Sequence, residues 1–468
     1  MRAVAVVSSM AAAGCGAGGL AGFRSGWYGC LGRWADTLFE LTDALLCAPG
    51  RVWSLPRLSL EPVVRRGHGS VYAALARGRV DEGGLAGLLA AYRPAGWPEV
   101  FAVDATVWPR PAAGTSPERG MYYHPSRHTK GKPVVAGWCY QHVAQLSFGR
   151  DSWTWPMGTR RIPPGADAAV ITVAQVAEVA GRLGPAGAVP LFCFDAGSSY
   201  DPAWLSHGLA AQRVQVLVRL RSNRVFYRDP PPRGPHTSGR PRRHGPPFAL
   251  KDPATWAAPS AQLATQDPVY GNVTVTGWAR LHPQVIRRGR WATPGPAPIV
   301  AGWVVRVQVT RLPKSSRARA KTLWLWWSGP PATTPDLALC WRAYLHRFDI
   351  EHTIRFHKAT LGWATPALRT PAQASRWTAL TLAAAAQLTL ARPLAADHRL
   401  PWEHPRPPAE LTPGRVRRDF PRIRATLPPV ANPRKPCRPG PGRPKGHPTQ
   451  PAQRHPVIKK TPRTTTPR

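Results

Sequence analysis

Hydrophobic spacing divides the chain into stretches of different period. Leu38, Leu41, Leu45 and Leu46 recur on one face at helical spacing, so residues 34–92 are expected as short helices. After Gly96 the period becomes that of strands. Residues 100–107 form a short apolar run broken once, by Asp104. Residues 132–148 and 152–157 follow, enriched in aromatic and β-branched side chains. Val173, Val176, Val179 and Leu183 return to helical spacing within residues 166–183. A compact strand at 189–194 then runs straight into Asp195, and a short helix around 205–211 precedes another strand at 213–220.

Residues 228–247 interrupt this alternation with seven Pro and five Arg, a composition that cannot form a packed element. Beyond it lie three strand-like runs, at 271–281, 298–310 and 321–327. Thr334 as N-cap and Pro335 at the first helical position predict a helix running to Leu361, closed by Gly362. A second helix, rich in Ala and Leu, is expected at 372–390. The pattern reads as an α/β core of mixed sheet with a β-rich module spliced in. The expected division is a low-complexity extension (1–30), a helical region (31–95), the first part of the core (96–222), the β-rich insertion (223–330), the second part of the core (331–398) and a basic Pro-rich tail (399–468).

Charge narrows the choice of partners. The 468 residues carry 63 Lys+Arg against 24 Asp+Glu, a formal net charge of +39. Such a balance draws nucleic acid or anionic membrane, and the absence of a basic amphipathic membrane helix favours nucleic acid. No run of 18 apolar residues suggests a membrane span. The tail from Pro401 holds 18 Pro and 16 Lys+Arg against three acids, and is expected to be disordered. The seven cysteines are odd in number and form no CxxC pair, which argues against a zinc ribbon or a disulfide framework and fits a reducing cytosol. Residues 3–14 have the look of a weak signal segment, but Ser8 and Ser9 interrupt them, and they read as low-complexity extension.

In so basic a chain, acids inside apolar strands carry information. Asp104 breaks FAVDATVW, and a charge in a buried strand is costly unless paired. Asp195 ends LFCFD, at the strand end where open α/β sheets bind ligands. Each also has a plain reading, Asp104 as a buried ion-pair member and Asp195 as a turn or cap residue. The segment from Tyr344 to Lys358 is more specific. On one continuous helix at about 100° per residue, Tyr344, Arg347, Glu351 and Lys358 fall within an arc of about 60°, which Arg355 extends. Asp349 points away and is expected to be solvated or in a local contact. The stripe matches a salt-bridged surface, and equally a face that holds phosphate and metal.

The spacing of Tyr, Arg, Glu and Lys in WRAYLHRFDIEHTIRFHKATLGW resembles the signature helix of bacterial insertion-sequence transposases of the DDE type, actinobacterial-style members above all. GHGSVYAAL, DPATW and RPGPGRPKG extend the resemblance over roughly residues 30–445. It implies a ribonuclease-H-like core with a β-rich insertion, and a catalytic, metal-holding triad of Asp104, Asp195 and Glu351. It also implies that Tyr344, Arg347 and Lys358 hold DNA phosphates, with Arg355 beside them. Two Mg²⁺ ions, replaceable by Mn²⁺, are the implied cofactors, since three carboxylates offer hard oxygen ligands. The implied activity is binding of terminal inverted repeats, cleavage and strand transfer by a synaptic homodimer on double-stranded DNA, in a cytoplasmic, nucleoid-associated protein. The alternative is a catalytically inactive transposase-derived DNA-binding protein.

Three further features are weaker. Trp324, Trp326 and Trp327 alternate across a strand, where they either pack in the core or leave one ring free for base stacking. Arg443 and Lys445, in GRPKG, resemble the core of a minor-groove hook, or belong to a polycation that binds backbone without preference. His124, His128, His352 and His357 have no metal-ligand spacing and read as structural or phosphate-proximal.

Overall fold

The computed structural model describes residues 17–123, 134–149, 151–185, 187–196, 200–232, 239–292, 294–313, 322–435, 446 and 451–459. The chain divides into two compact units. The first comprises residues 1–97, 105–166 and 349–468, and the second residues 98–104 and 167–348. Strand β1, Val100–Pro109, contributes to both.

In the first unit, helices α1 (Ala17–Gly29), α2 (Ala35–Cys47), α3 (Leu55–Leu58), α4 (His68–Arg77) and α5 (Glu82–Ala91) lead into the far half of β1. Strands β2 (Gly120–Tyr123), β3 (Val134–Leu146) and β4 (Thr154–Ile162) pair antiparallel in that order, and β3 also lies beside β1. Gly137 permits that approach, because a Cβ there would stand 2.2 Å from the Trp108 carbonyl oxygen.

The second unit begins with the first four residues of β1, parallel to β5 (Leu191–Phe194), which is parallel in turn to β6 (Gln215–Leu220). Between the strands lie α6 (Ala168–Leu183) and α7 (Pro202–Gly208). A small hairpin follows, β7 (Val225–Tyr227) with β8 (Pro247–Ala249). Then β9 (Ala261–Asp267), β10 (Gly271–Leu281), β11 (Gly302–Val309) and β12 (Thr322–Ser328) continue antiparallel, and β12 joins the edge of β6. Strands β9 to β12 of the expected insertion thus extend the sheet to which β5 belongs, while β7 and β8 form a sheet of their own. The fold is mixed α/β with a large mixed sheet, as a ribonuclease-H-like nuclease requires. Among the described residues no helix is long and apolar enough to cross a membrane.

Four expectations need correction. The low-complexity extension contains helix α1, whose Leu20, Phe23 and Trp27 are fully buried at helical spacing. The tail expected to be disordered folds over α11 (Pro413–Thr426), which buries Val416, Phe420 and Ile423. Its later residues also dock, since Ile458 bridges to Gly120 and the His455 N–H donates to the Gly114 carbonyl at 2.8 Å. Third, the helix expected from Thr334 begins at Leu337, capped by Asp336, whose carboxylate accepts from the Ala338 and Leu339 N–H groups at 2.9 and 3.1 Å. It is also two helices, α8 (Leu337–His346) and α9 (Phe348–Ala359), with Arg347 between them. Fourth, Asp349 is buried, which sets aside the solvated alternative and leaves the local contact as the standing expectation.

Pairing of buried charge explains the first two corrections. Arg24 of α1 donates to Asp43 of α2 at 2.6 Å and to Gln387 at 2.7 Å, and Arg424 of α11 donates to the same Asp43 at 2.8 Å. Gln387 lies on α10 (Pro371–Ala391), the central helix of this unit, whose start carries a Thr370–Gln373 capping box. A buried carboxylate needs partners, and they come from both ends of the chain.

Candidate active site

In the second unit, Val103 of β1 lies opposite Phe194 of β5 in parallel register. The next residues are Asp104 and Asp195. Parallel strands in register place successive pairs on the same side, about 4.8 Å apart across the ladder. Asp104 thus lies within β1 and Asp195 just past the end of β5, the strand end at which open α/β sheets bind ligands. The plain reading of Asp195 as a turn residue is also met, since its Oδ1 accepts from the Ala196 N–H at 2.7 Å.

Asp195 is heavily engaged. The Tyr344 hydroxyl donates to its Oδ1 at 3.0 Å, and Arg219 Nη1 donates to the same oxygen at 3.4 Å. Arg347 Nη2 lies 3.8 Å from Oδ2. Burial pushes the Asp195 carboxyl up. Arg347, the Ala196 N–H, Arg219 and Tyr344 outweigh it and hold the group below the ordinary carboxylate range. The Tyr344 phenol moves the other way, raised by its own burial and by the Asp195 charge. Arg347 stacks on Phe348 at 4.5 Å and on Tyr344 at 5.5 Å, cation over ring.

Arg347 is implied by the resemblance to hold a DNA phosphate. It is 1% exposed and lies against Asp195, and Tyr344 is buried with it. The sequence reading missed Arg219, although a charge near the end of the apolar run QVLVRL is the same signal that singled out Asp104.

The other expected residues belong to the first unit. Glu351 lies in the first turn of α9, where the helix N-terminus favours a carboxylate. Arg355 is exposed, as is His352, whereas His357 is buried. Lys358 donates to the Thr106 hydroxyl at 2.6 Å, and its ammonium lies 5.8 Å from the Trp363 ring centre. Arg443, Lys445, His124 and His128 lie outside the described residues.

The tryptophans settle into the core. Trp324, Trp326 and Trp327 are at most 5% exposed. Trp326 donates to Ser206 at 2.9 Å and stacks on Phe226, and Trp327 donates to Gln215 at 3.0 Å. No ring of the three is free to receive a base.

The aspartate pair suits a divalent cation in its donor chemistry. Both groups are hard oxygen donors, and the partners of Asp195 keep it ionised at neutral pH. Among the described residues no group of three or more His, Cys, Asp and Glu side chains is gathered to hold a metal ion. Of these two acids, Asp195 is held by two guanidiniums and a phenol. No curated protein matches the chain. A family model described as DDE superfamily endonuclease matches residues 27–280, a span that includes both aspartates and ends before Glu351. That match covers more than half of the 468 residues, and the chain belongs to the DDE superfamily endonucleases.

Proposed function

We propose that this protein is a DNA transposase, which binds the terminal inverted repeats of an insertion sequence, cleaves the strand at their ends and joins it to target DNA. The observation that carries the reading is that Asp104 and Asp195 directly follow the in-register pair Val103 and Phe194 of the parallel strands β1 and β5, within a chain of the DDE endonuclease family. The net charge of +39 supports a polyanionic substrate. The Tyr344, Arg347, Glu351, Lys358 spacing supports transposase over other nucleases of the family.

In this reading Asp104, Asp195 and Glu351 are the residues that would hold two Mg²⁺ ions, or Mn²⁺ in their place. Such ions would supply Lewis-acid polarisation of the scissile phosphoryl group and would ease deprotonation of the attacking hydroxyl. Tyr344, Arg347 and Arg219 orient the Asp195 carboxylate and keep it ionised. Lys358 and Arg355 meet phosphate oxygens of the bound strand, and a homodimer brings two ends together.

The test uses the full chain and a labelled duplex carrying the inverted repeats that flank its gene. Mg²⁺-dependent nicking at the repeat end is expected. Asp104→Asn, Asp195→Asn and Glu351→Gln should each abolish it with little loss of DNA binding, because the set acts as a unit. Nicking that survives Asp195→Asn would overturn the reading.

A further inference from the structure

A recess of about 340 Å³ opens beside Asp195. Its lining includes Ala196, the residue after Asp195, together with Tyr200 and Pro202, and, at the end of β6 and the turn that follows, Arg219 and the exposed Arg221, Asn223 and Arg224. It lies where the neighbouring parallel strands β5 and β6 end, the side of the sheet at which ligands bind. Tyr200 and Pro202 are buried, and their rings give the recess an apolar part.

Charge in the lining is unbalanced. Arg219 is committed to Asp195. Arg221 and Arg224 are exposed, and among the described residues neither guanidinium has an acceptor. Three guanidiniums in one lining, with one carboxylate beside it, repel one another until an anion enters. Guanidinium pairs well with phosphate, through two parallel hydrogen bonds. An apolar part beside phosphate-binding guanidiniums suits a sugar–phosphate unit.

We propose that this recess holds the nucleotide of the DNA strand that adjoins the scissile phosphate. Arg221 and Arg224 take its backbone phosphates, and Arg219 links the recess to the catalytic edge by touching Asp195. This rests on the nuclease reading of Asp195. The ligand is a nucleotide within a DNA strand, because the recess is lined by Ala196 and Arg219, the chain neighbour and the ion-pair partner of the carboxylate that would face the cleaved bond.

The experiment compares the full-length protein with Arg221→Ala/Arg224→Ala and with a control of equal charge loss, Arg240→Ala/Arg242→Ala. Binding of a fluorescent duplex is followed by anisotropy without divalent metal across a salt series. Each lost phosphate contact removes about 0.9 from the slope of log affinity against log salt, so the recess variant should lose about 1.8. Its affinity should fall about tenfold or more, and the control should change far less. Arg221→Lys/Arg224→Lys should recover the slope but only part of the affinity, which also shows that the turn has kept its fold. In Mg²⁺, the recess variant should raise KM for cleavage more than it lowers kcat. Equal effects of the two alanine pairs would overturn the proposal. So would loss of binding to a free deoxynucleoside monophosphate with DNA binding unchanged, which would mark a small-molecule site. A wild-type chain that nicks DNA while the two pairs behave alike removes the recess and leaves the nuclease. A wild-type chain that neither binds nor nicks DNA removes both.

Discussion

The Arg347 guanidinium lies 3.8 Å from the Asp195 carboxylate and is 1% exposed, while the carboxylate itself is 36% exposed. The cation is therefore inside and the anion at the surface. That polarity leaves the Asp195 carboxylate facing solvent while a buried charge holds it from behind. The same geometry removes Arg347 from the list of side chains free to grip DNA.

Replacing Arg347 tests this arrangement. Arg347→Ala should move the Asp195 titration upward toward the ordinary carboxylate value, read by NMR of the labelled side chain. Cleavage should fall about a hundredfold, as for loss of one preorganised charged group. Arg347→Lys should recover only part, since an ammonium cannot stack on Phe348 and reach the carboxylate with the same fork. The linkage has a definite sign. A lowered folded pKa contributes stability above the unfolded carboxylate value of about 3.9, lost as pH falls through the folded value. The stability gap between wild type and Asp195→Asn should therefore close in acid. A gap that persists below the carboxylate range would show that Asp195 is not held as described.

Asp349 and Glu351 separate fold from chemistry. Asp349 is buried, so Asp349→Asn should lower thermal stability by about 1–3 kcal/mol, the cost of disturbing a buried charged group, and leave nicking in place. Glu351→Gln should do the reverse. Differential scanning calorimetry beside a nicking assay reads both, and an exchange of the two phenotypes would assign the third acid to Asp349.

The tail should prove structural in its first part. Ending the chain at residue 400 removes Leu411, Val416, Phe420 and Ile423, each at most 2% exposed, and takes Arg424 from Asp43. The first unit should then melt far lower or fail to fold. A chain that stops after residue 459 keeps every one of these contacts and should melt with the full-length protein. Equal melting of all three would show that α11 contributes nothing to the unit.

His357 should make the first unit acid-sensitive. Burial lowers its imidazole to about 4, and among the described residues neither ring nitrogen has a hydrogen-bond partner. His142, its ring centre 6.2 Å away, is pushed down as well, by burial first and then by His357 and Lys358. A lowered histidine binds protons more readily when unfolded, so stability falls as pH drops from about 6.5 toward 4. His357→Leu should flatten that slope and cost little at neutral pH. A slope unchanged by the substitution would place the acid sensitivity elsewhere.

Local chemistry sufficed for much of the chain. Strand β10 spans the same residues that alternation predicts, and α6, α10 and β1 differ from expectation only at their ends, because each carries a strong period of its own. The two aspartates were legible for a related reason: a charge interrupting or ending an apolar strand is costly unless something uses it. The rest depended on partners distant in sequence. Helix α1 looks like low-complexity sequence until Arg24 meets Asp43 and Gln387, and α11 looks like polycationic tail until Arg424 reaches the same carboxylate. The projection of Tyr344 to Lys358 on one helix treated Arg347 as a point on a cylinder. Only the folded chain could show that the helix pauses there and that the guanidinium is buried against Asp195, 152 residues earlier, because electrostatic pairing acts through space while periodicity is read along the chain.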